Sequence, residues 1–297
     1  MSLIPMREML NNAMSEGYAV GYFEAWDQCS FEAVLEAAEE SRSPVILGFG
    51  GVMMNQDWFG ERGLKGLASL GRSIVETARV PVSYLLNEVL THDHIKCGLG
   101  SGFNAVMLDT SHLSLEQNIS ETKKVVEAAR RFGADVEGES DPLPDASGTM
   151  GEYSGSKMTD PEEAARFVSE TGVCALSVAI GNEHIQFDAE SAIDFDLLAK
   201  IQKAVGVPLV IHGGTGFPDS AVPRAIELGV AKFNVGSILK QLYLKGICES
   251  VDALPVKVDI QEVVGSRKAG DLLQRSKELV KEEVMRRMKV YGSAGKA

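Results

Sequence analysis

The chain has 297 residues, with 29 Lys and Arg against 42 Asp and Glu, so its formal net charge is −13 at pH 7. This acidic balance argues against nucleic acid or an anionic membrane surface as the main partner, because both are bound through clustered Lys and Arg. Hydrophobic residues make up 44% and charged residues 24%, as in an ordinary globular protein. No apolar run reaches the roughly 20 residues needed to cross a bilayer, so we expect no membrane insertion.

The four cysteines are widely spaced, and the first residues lack the charged, apolar and small-residue layout of a secretory signal peptide. We therefore expect free thiols and a cytoplasmic protein. A chain of this length fits one large α/β domain as well as two smaller ones, so the organisation has to be inferred from the pattern of elements.

Short β-branched runs alternate with longer stretches of helical periodicity. Eight strands are predicted, at 18–23, 44–49, 81–86, 105–109, 134–138, 175–180, 207–212 and 231–235. Helices are predicted between them, at 30–41, 64–77, 119–131, 161–171, 195–205 and 219–228. The strands recur about every 30 residues, which is typical of a TIM (β/α)8 barrel. An open, doubly wound sheet is the alternative.

Two features favour the barrel over the open sheet. No Gly-x-Gly-x-x-Gly motif follows the first strand, as it does in dinucleotide-binding open sheets. Polar residues instead end nearly every predicted strand, and in a barrel these ends meet at one mouth, where such barrels have their active sites. The residues are Glu24, Asn87, Glu88, Asp109, Glu137, Glu139, His184, His212 and Asn234. Any one of them could be polar simply because a loop begins there, but the whole set predicts a site.

Residues 238–297 follow the eighth strand and end in a charged amphipathic helix predicted at 271–290. We interpret the whole chain, 1–297, as one barrel domain with 238–297 as a C-terminal helical extension. This helix is expected to pack rather than to take part in chemistry. Because an added helix commonly covers a neighbouring subunit, we expect a homodimer or a larger homo-oligomer.

Two histidines come at the ends of apolar runs, His184 in AIGNEH and His212 in LVIHGGTG. On neighbouring strands of a barrel both imidazoles would reach the mouth. A catalytic zinc site takes three protein ligands from His and carboxylate, and Glu88 is the candidate for the third. Zn2+ is the expected ion, with another divalent cation as the alternative. His92 and His94 have no such partners and are predicted to lie on the solvated surface.

Glycine-rich loops follow the seventh and eighth predicted strands. In many barrels these two loops bind a phosphate through backbone amides and a helix N-terminus. Turns need glycine in any case, but the pair at these two strands predicts a phosphate site. Its residues are Gly213, Gly214, Thr215, Asn234, Gly236 and Ser237. Lys232 and Arg267, with the loop amides and the metal, are expected to offset the negative net charge there.

Eight segments together resemble the class II, zinc-dependent ketose-bisphosphate aldolases of the fructose- and tagatose-bisphosphate type. They are YAVGYF from 18, GFNAVMLDTSHL from 102, VEGE from 136, TDPEEA from 159, AIGNEH from 179, HGGTG from 212, KFNVGS from 232 and YGSAGK from 291. The resemblance spans essentially the whole chain and implies the same barrel.

In that family a zinc ion at the barrel mouth polarises the ketose carbonyl and stabilises the enediolate left when the carbon–carbon bond is cleaved. Carried over, the resemblance assigns His184 and His212 as two zinc ligands. It assigns the substrate phosphate and enediolate to the segments that hold Gly213, Gly214, Thr215, Asn234 and Ser237. Asp109 and Ser111 would support the site from the segment after the fourth strand.

The third strand departs from the family pattern. The family has LHLDHG, whose Asp moves a proton to and from the substrate hydroxyl and whose next His is the remaining zinc ligand, but this chain has YLLNEV at 84–89. The Asn87 amide can orient a hydroxyl, but it does not gain or lose a proton near neutral pH and so cannot act as a general acid or base. Glu88 can replace the ligand, because two His and one Glu form an established zinc set.

The first strand departs as well, because the family's Phe-Asn is Phe23-Glu24 here. Glu24 could take over proton transfer, as could Glu139, or it could simply pair with a neighbouring cation. The main hypothesis is a metal-dependent aldolase-like lyase acting on a phosphorylated ketose or a related sugar derivative. An isomerase or epimerase with Glu24 or Glu139 as base, and a catalytically degenerate phospho-sugar binding protein, are the alternatives.

Overall fold

The computed structural model describes residues 2–110, 112–141, 143, 157–183 and 192–297. Eight parallel strands close into a barrel in chain order, each hydrogen-bonded to the next and the last to the first. They are β1 Val20–Ala25, β2 Val45–Gly50, β3 Val82–Val89, β4 Ala105–Leu108, β5 Asp135–Glu139, β6 Ala175–Ser177, β7 Leu209–Ile211 and β8 Val230–Val235. The predicted TIM barrel is confirmed, and the open sheet is excluded.

Each predicted strand overlaps an observed one, and the strand that extends furthest beyond its predicted C-terminal end is β3. This strand continues to Val89, past the polar Asn87 and Glu88 that were expected to follow it. Its register against β4 shifts between Leu86 and Val89, so the strand carries an irregularity where the polar pair lies. Strands β6 and β7 are shorter than predicted, because the register between them pairs only Leu176 and Ser177 with Leu209 and Val210.

Helices surround the barrel. They are α1 Met6–Glu16, α2 Gln28–Ser41, α3 Gln56–Trp58, α4 Leu64–Val75, α5 His92–Gly100, α6 Leu115–Arg130, α7 Pro161–Thr171, α8 Phe195–Ala204, α9 Val222–Glu227, α10 Ser237–Asp252, α11 Ile260–Val263 and α12 Gln274–Val290, with a π-helix at Phe59–Gly63 and a 3-10 turn at Asp219–Ala221. No helix in the described ranges is both long and apolar enough to traverse a bilayer. The four cysteines, all within those ranges, form no disulfide.

Helix α1 closes one end of the barrel. Its buried residues Met6, Met9 and Leu10 pack in one cluster with side chains from inside the strands, among them Val20 and Ile46. The apolar interior is therefore sealed at the end where the strands begin. Polar side chains collect at the opposite end, which leaves that mouth for a site.

Helix α12 packs along α2 and α10 and buries Val280, Val284 and Met288. It also reaches the mouth through Arg287, whose side chain is almost fully buried. The guanidinium donates from Nη1 to the carbonyl oxygen of Gly214 at 3.0 Å and from Nη2 to that of Thr215 at 3.3 Å, while Nε donates to Glu283 at 2.8 Å. The last helix therefore holds the loop that follows β7.

We predict that Arg287→Met lowers the free energy of unfolding by about 3 kcal/mol, because it leaves Glu283 and two carbonyl oxygens without a buried donor. The neighbouring Arg286→Met is the control, since Arg286 is half-exposed and its ion pairs with Glu283 and Asp219 should be worth less than about 1 kcal/mol. Urea denaturation followed by circular dichroism measures both losses. Equal losses in the two variants would contradict a special role for Arg287.

Candidate active site

A cavity of about 460 Å³ opens at the C-terminal mouth of the barrel. Among the residues predicted for the site, those that line it are Glu24, Asn87, Glu88, His212, Gly213, Thr215, Asn234, Gly236 and Ser237. Gly214 and Glu139 do not line the cavity but contact residues that do. His184 and Ser111 lie outside the described residues. Side chains from β1, β3, β7 and β8 therefore meet in one space.

His212 is completely buried at the base of this cavity and touches a carboxylate through each ring nitrogen. Its Nε2 lies 2.9 Å from Oε1 of Glu137, and its Nδ1 lies 3.2 Å from Oε1 of Glu88 and 3.7 Å from Oε1 of Glu139. Burial alone would lower the pKa of the imidazole, but the carboxylates of Glu88 and Glu137 raise it to about 10. Both sides of the ring thus face carboxyl groups, one at Nε2 and two at Nδ1.

A second cation, Lys232, lies beneath the histidine. Its ammonium is fully buried and donates to both carboxylate oxygens of Glu137, at 2.9 and 2.7 Å. It also lies 5.0 Å from the centre of the Tyr22 ring. Burial raises the pKa of Glu137, but Lys232 and His212 outweigh it, so the net pKa of this carboxyl is lowered. Glu137 therefore stays ionised and orients the imidazole through Nε2.

Glu139, also on β5, has the opposite character. Its carboxyl is buried and accepts a hydrogen bond from the Ser177 hydroxyl at 2.9 Å. Burial, with the nearby charges of Glu88 and Asp109, raises the pKa of Glu139 to about 8 in spite of the attraction of His212. The neighbours of these two glutamates, two positions apart on one strand, thus shift their pKa values in opposite directions.

Glu88 has a backbone φ of 47°, in the left-handed region that a residue with a long side chain rarely adopts. This backbone turn accompanies the irregularity in β3. The Asn87 amide donates from Nδ2 to Oε2 of Glu88 at 2.6 Å, while Oδ1 of Asn87 is buried and has no hydrogen-bond partner among the described residues. Local strain and an unsatisfied acceptor thus occur together at the cavity wall, which is typical of a ligand site.

The donors around Nδ1 of His212 fit a divalent cation. Glu137 holds the Nε2 side, so that Nδ1 can coordinate a metal in place of a proton, as in metal sites where a carboxylate orients the histidine. Glu88 and Glu139 supply carboxylate oxygens on the same side. Within the described ranges no group of three such side chains closes into a complete metal site. The third predicted ligand, His184, falls outside those ranges.

The two glycine-rich loops pack directly on each other. The amide of Gly214 donates to the carbonyl oxygen of Asn234 at 2.9 Å, and a Cβ at Gly214 would lie only 2.7 Å from that oxygen. The hydroxyl of Thr215 accepts from the amide of Ile238, in the first turn of α10, at 3.3 Å. Both polar atoms of the Asn234 side-chain amide are buried without a hydrogen-bond partner in the described part of the chain. This arrangement can bind an anionic or hydroxylated ligand.

Glu24 lies at the edge of the same cavity and pairs with Lys240 on α10, with 2.8 Å between Oε1 and Nζ. The pairing with a neighbouring cation considered for Glu24 is thus present. Lys240 itself was missed by sequence reasoning. It lies three positions after Ser237, and residues at that spacing share a helix face, so a helix beginning at Ser237 would have indicated it.

Arg267, expected to influence the site, instead pairs with Glu32 at 2.6 Å and does not line the cavity. His92 and His94 also lie outside the cavity lining, but they are half-buried rather than solvated. His92 contacts Glu121 at 2.7 Å, and His94 packs edge-on against Phe59. A local sequence pattern does not contain these partners, because they come from other elements.

The comparisons with known proteins agree over almost the whole chain. The family model described as "Fructose-bisphosphate aldolase class-II" matches residues 4–296. A protein of Bacillus subtilis (strain 168) named "Probable fructose-bisphosphate aldolase" is 33% identical over 308 residues, which covers 100% of each chain. The "Sulfofructosephosphate aldolase" of Alkalicoccus urumqiensis is 31% identical and covers 100% of this chain and 99% of its own.

A solved structure is also similar over almost the whole length. The crystal structure of the YdjI aldolase from Escherichia coli K12 matches with a TM-score of 0.83 and 31% sequence identity, covering 99% of both chains. Family match, relatives and fold therefore agree over the same residues. The chain belongs to the class-II fructose-bisphosphate aldolase family.

Proposed function

We propose that this protein is a metal-dependent aldolase-type lyase that cleaves or forms a carbon–carbon bond in a phosphorylated ketose or a related sugar derivative. The observation that carries the proposal is the orientation of His212. Glu137 holds one ring nitrogen, while the other nitrogen faces Glu88 and Glu139 at the floor of a cavity whose rim has two glycine-rich loops. The family is generally metal-dependent, and its members include named aldolases.

Zn2+ is the proposed metal, held by His212, Glu88 and His184, because imidazole and carboxylate donors suit this ion. When bound, it would supply Lewis-acid stabilisation of negative charge on a substrate oxygen. Glu137 and Lys232 would fix the ring of His212, so that Nδ1 stays aimed at the cavity.

Two groups of residues would hold the substrate. The hydroxyls of Thr215 and Ser237 and the amides of Gly213 and Gly236 would bind the phosphate, as loops after the last two barrel strands commonly do. Gly214 would hold the two loops together through its hydrogen bond to Asn234. The unsatisfied amide groups of Asn234 and Asn87 would bind the oxygens of the sugar. Asn87 would orient a substrate hydroxyl, but it cannot move its proton.

Proton transfer therefore requires a carboxyl. Of the two candidates, Glu24 is engaged by the ammonium of Lys240. Glu139 does not line the cavity, but its Oε1 lies 3.7 Å from Nδ1 of His212, which does. We assign the proton transfer to Glu139.

The expected homo-oligomer and cytoplasmic location stay predictions.

The test of the proposed function is a screen of phosphoketoses with the zinc-loaded protein, in which release of a triose phosphate is measured. Cleavage that depends on added metal is the expected result. Exchange of solvent deuterium into the sugar without cleavage would indicate an isomerase or epimerase instead of a lyase. Binding of a phosphoketose without either reaction, whichever divalent metal is added, would indicate a binding protein instead of an enzyme.

We predict that the purified protein takes up close to one equivalent of zinc and that Glu88→Ala weakens zinc binding by at least about tenfold, since a ligand is lost. Glu36→Ala is the matched control, because Glu36 is on α2 and pairs with Lys277 away from the mouth. Elemental mass spectrometry after dialysis measures the metal. Equal zinc content in the Glu88 variant and the unmodified protein would refute this ligand assignment.

We further predict that Glu139→Gln lowers kcat for C–C cleavage by roughly 100-fold or more, as expected for loss of a general acid–base group. Asn87→Leu should act mainly on KM, because it removes an orienting amide. Both variants should keep their zinc. A Glu139 variant with unchanged kcat would show that another group moves the proton.

A further inference from the structure

Tyr22 lies on β1, and its side chain lines the cavity although it is almost completely buried. The register of β1 against β8 pairs Tyr22 with Asn234. Gly236 comes two residues after Asn234, as Glu24 comes two residues after Tyr22. Two residues of a strand rise roughly 7 Å. Tyr22 and Asn234 therefore lie side by side, one layer below the loop proposed for the phosphate.

The hydroxyl of Tyr22 is buried and has no hydrogen-bond partner in the described part of the chain. Seven buried side-chain polar atoms in the described ranges lack a partner, and four of them belong to residues that line this cavity, namely Tyr22, Asn87 and Asn234. Burying a hydroxyl without a hydrogen bond costs free energy, and a phenylalanine would supply the same ring without that cost. The concentration of such atoms at one cavity indicates that a ligand supplies their partners.

The surroundings of the Tyr22 hydroxyl keep it protonated. Burial, with the negative charges of Glu24, Glu88 and Glu137, raises the pKa of Tyr22 well above its ordinary value. Glu24 and Glu88 line the cavity themselves, so the hydroxyl lies among the carboxylates that a ligand would meet. The ammonium of Lys232 lies 5.0 Å from the centre of the ring and attracts its π-face, which holds the ring in place. Tyr22 therefore presents a fixed, neutral hydrogen-bond donor.

We propose that Tyr22 is a substrate-binding residue, whose hydroxyl donates to an oxygen on the carbon chain of the sugar and not to its phosphate. The depth of Tyr22 below the phosphate loops supports this choice of oxygen. Asn234 beside it has an amide donor and acceptor without partners, so β1 and β8 together offer hydrogen bonds to a hydroxylated chain. This inference rests on the proposed function, because it takes a phosphorylated sugar as the ligand.

The test measures the binding of two ligands to the zinc-loaded protein by calorimetry. They are dihydroxyacetone phosphate, the smallest phosphorylated ketose, and inorganic phosphate. Tyr22→Phe removes only the hydroxyl, so it should raise the Kd of dihydroxyacetone phosphate roughly tenfold and leave that of inorganic phosphate unchanged. The variant should not lower Tm, because the hydroxyl that it removes has no partner among the described residues.

Tyr84→Phe is the matched control. The hydroxyl of Tyr84 is also buried, but Tyr84 does not line the cavity, and its hydroxyl donates to the carbonyl oxygen of Ala68 on α4 at 3.2 Å. Loss of this hydrogen bond should lower Tm by about 2 °C. Both Kd values should stay unchanged, so the two variants separate ligand binding from stability.

An unchanged Kd for dihydroxyacetone phosphate in Tyr22→Phe, or equal weakening of both ligands, would overturn the role of Tyr22 while leaving the phosphate site in place. A fall in Tm as large as that of Tyr84→Phe would also overturn it, because the hydroxyl would then have a structural partner. Failure of both ligands to bind any of the three proteins would overturn the inference together with the phosphate site of the proposed function.

Discussion

The buried chain of contacts from Lys232 through Glu137 to His212 is the interaction on which the mouth of the barrel depends. The carboxylate of Glu137 is buried away from water. Two cations, His212 and Lys232, replace its hydration and contact it at 2.9 Å or less. Removing either cation would leave the buried carboxylate with only one of its two positive partners. The same contact decides which nitrogen of His212 faces the cavity, so stability and chemistry are joined in one ion pair.

The sequence predicted the barrel well, because strand periodicity and polar strand ends are local signals. Asn87, Glu88, His212 and Asn234 could be placed at the mouth for that reason. The Lys232–Glu137 pair joins residues 95 positions apart, so its contact depends on barrel closure rather than on any local pattern. Strain is equally hidden from a sequence, since nothing about a glutamate in a β-rich run indicates a left-handed backbone.

Departures from the family pattern on two strands have structural consequences that reach other elements. At the first strand, a longer acidic side chain lies against Gly50 on β2 and Gly236 after β8, and a lysine on α10 compensates its charge. At the third strand, Asn87 and Glu88 hydrogen-bond to each other, and the carboxylate contacts His212. Glu24 and Glu88 thus each contact a residue from another part of the barrel, Lys240 and His212.

The contact of Arg287 with the loop after β7 bears on the order in which the protein is made. A ribosome releases the eight strands first, and they can pair as they emerge, but the guanidinium that holds Gly214 and Thr215 comes about 70 residues after the loop it supports. The nascent chain can therefore close its barrel while this rim of the mouth still lacks its support. The loop after β7 therefore gains its buried hydrogen bonds only once α12 has been made, although the strand that precedes the loop is made much earlier.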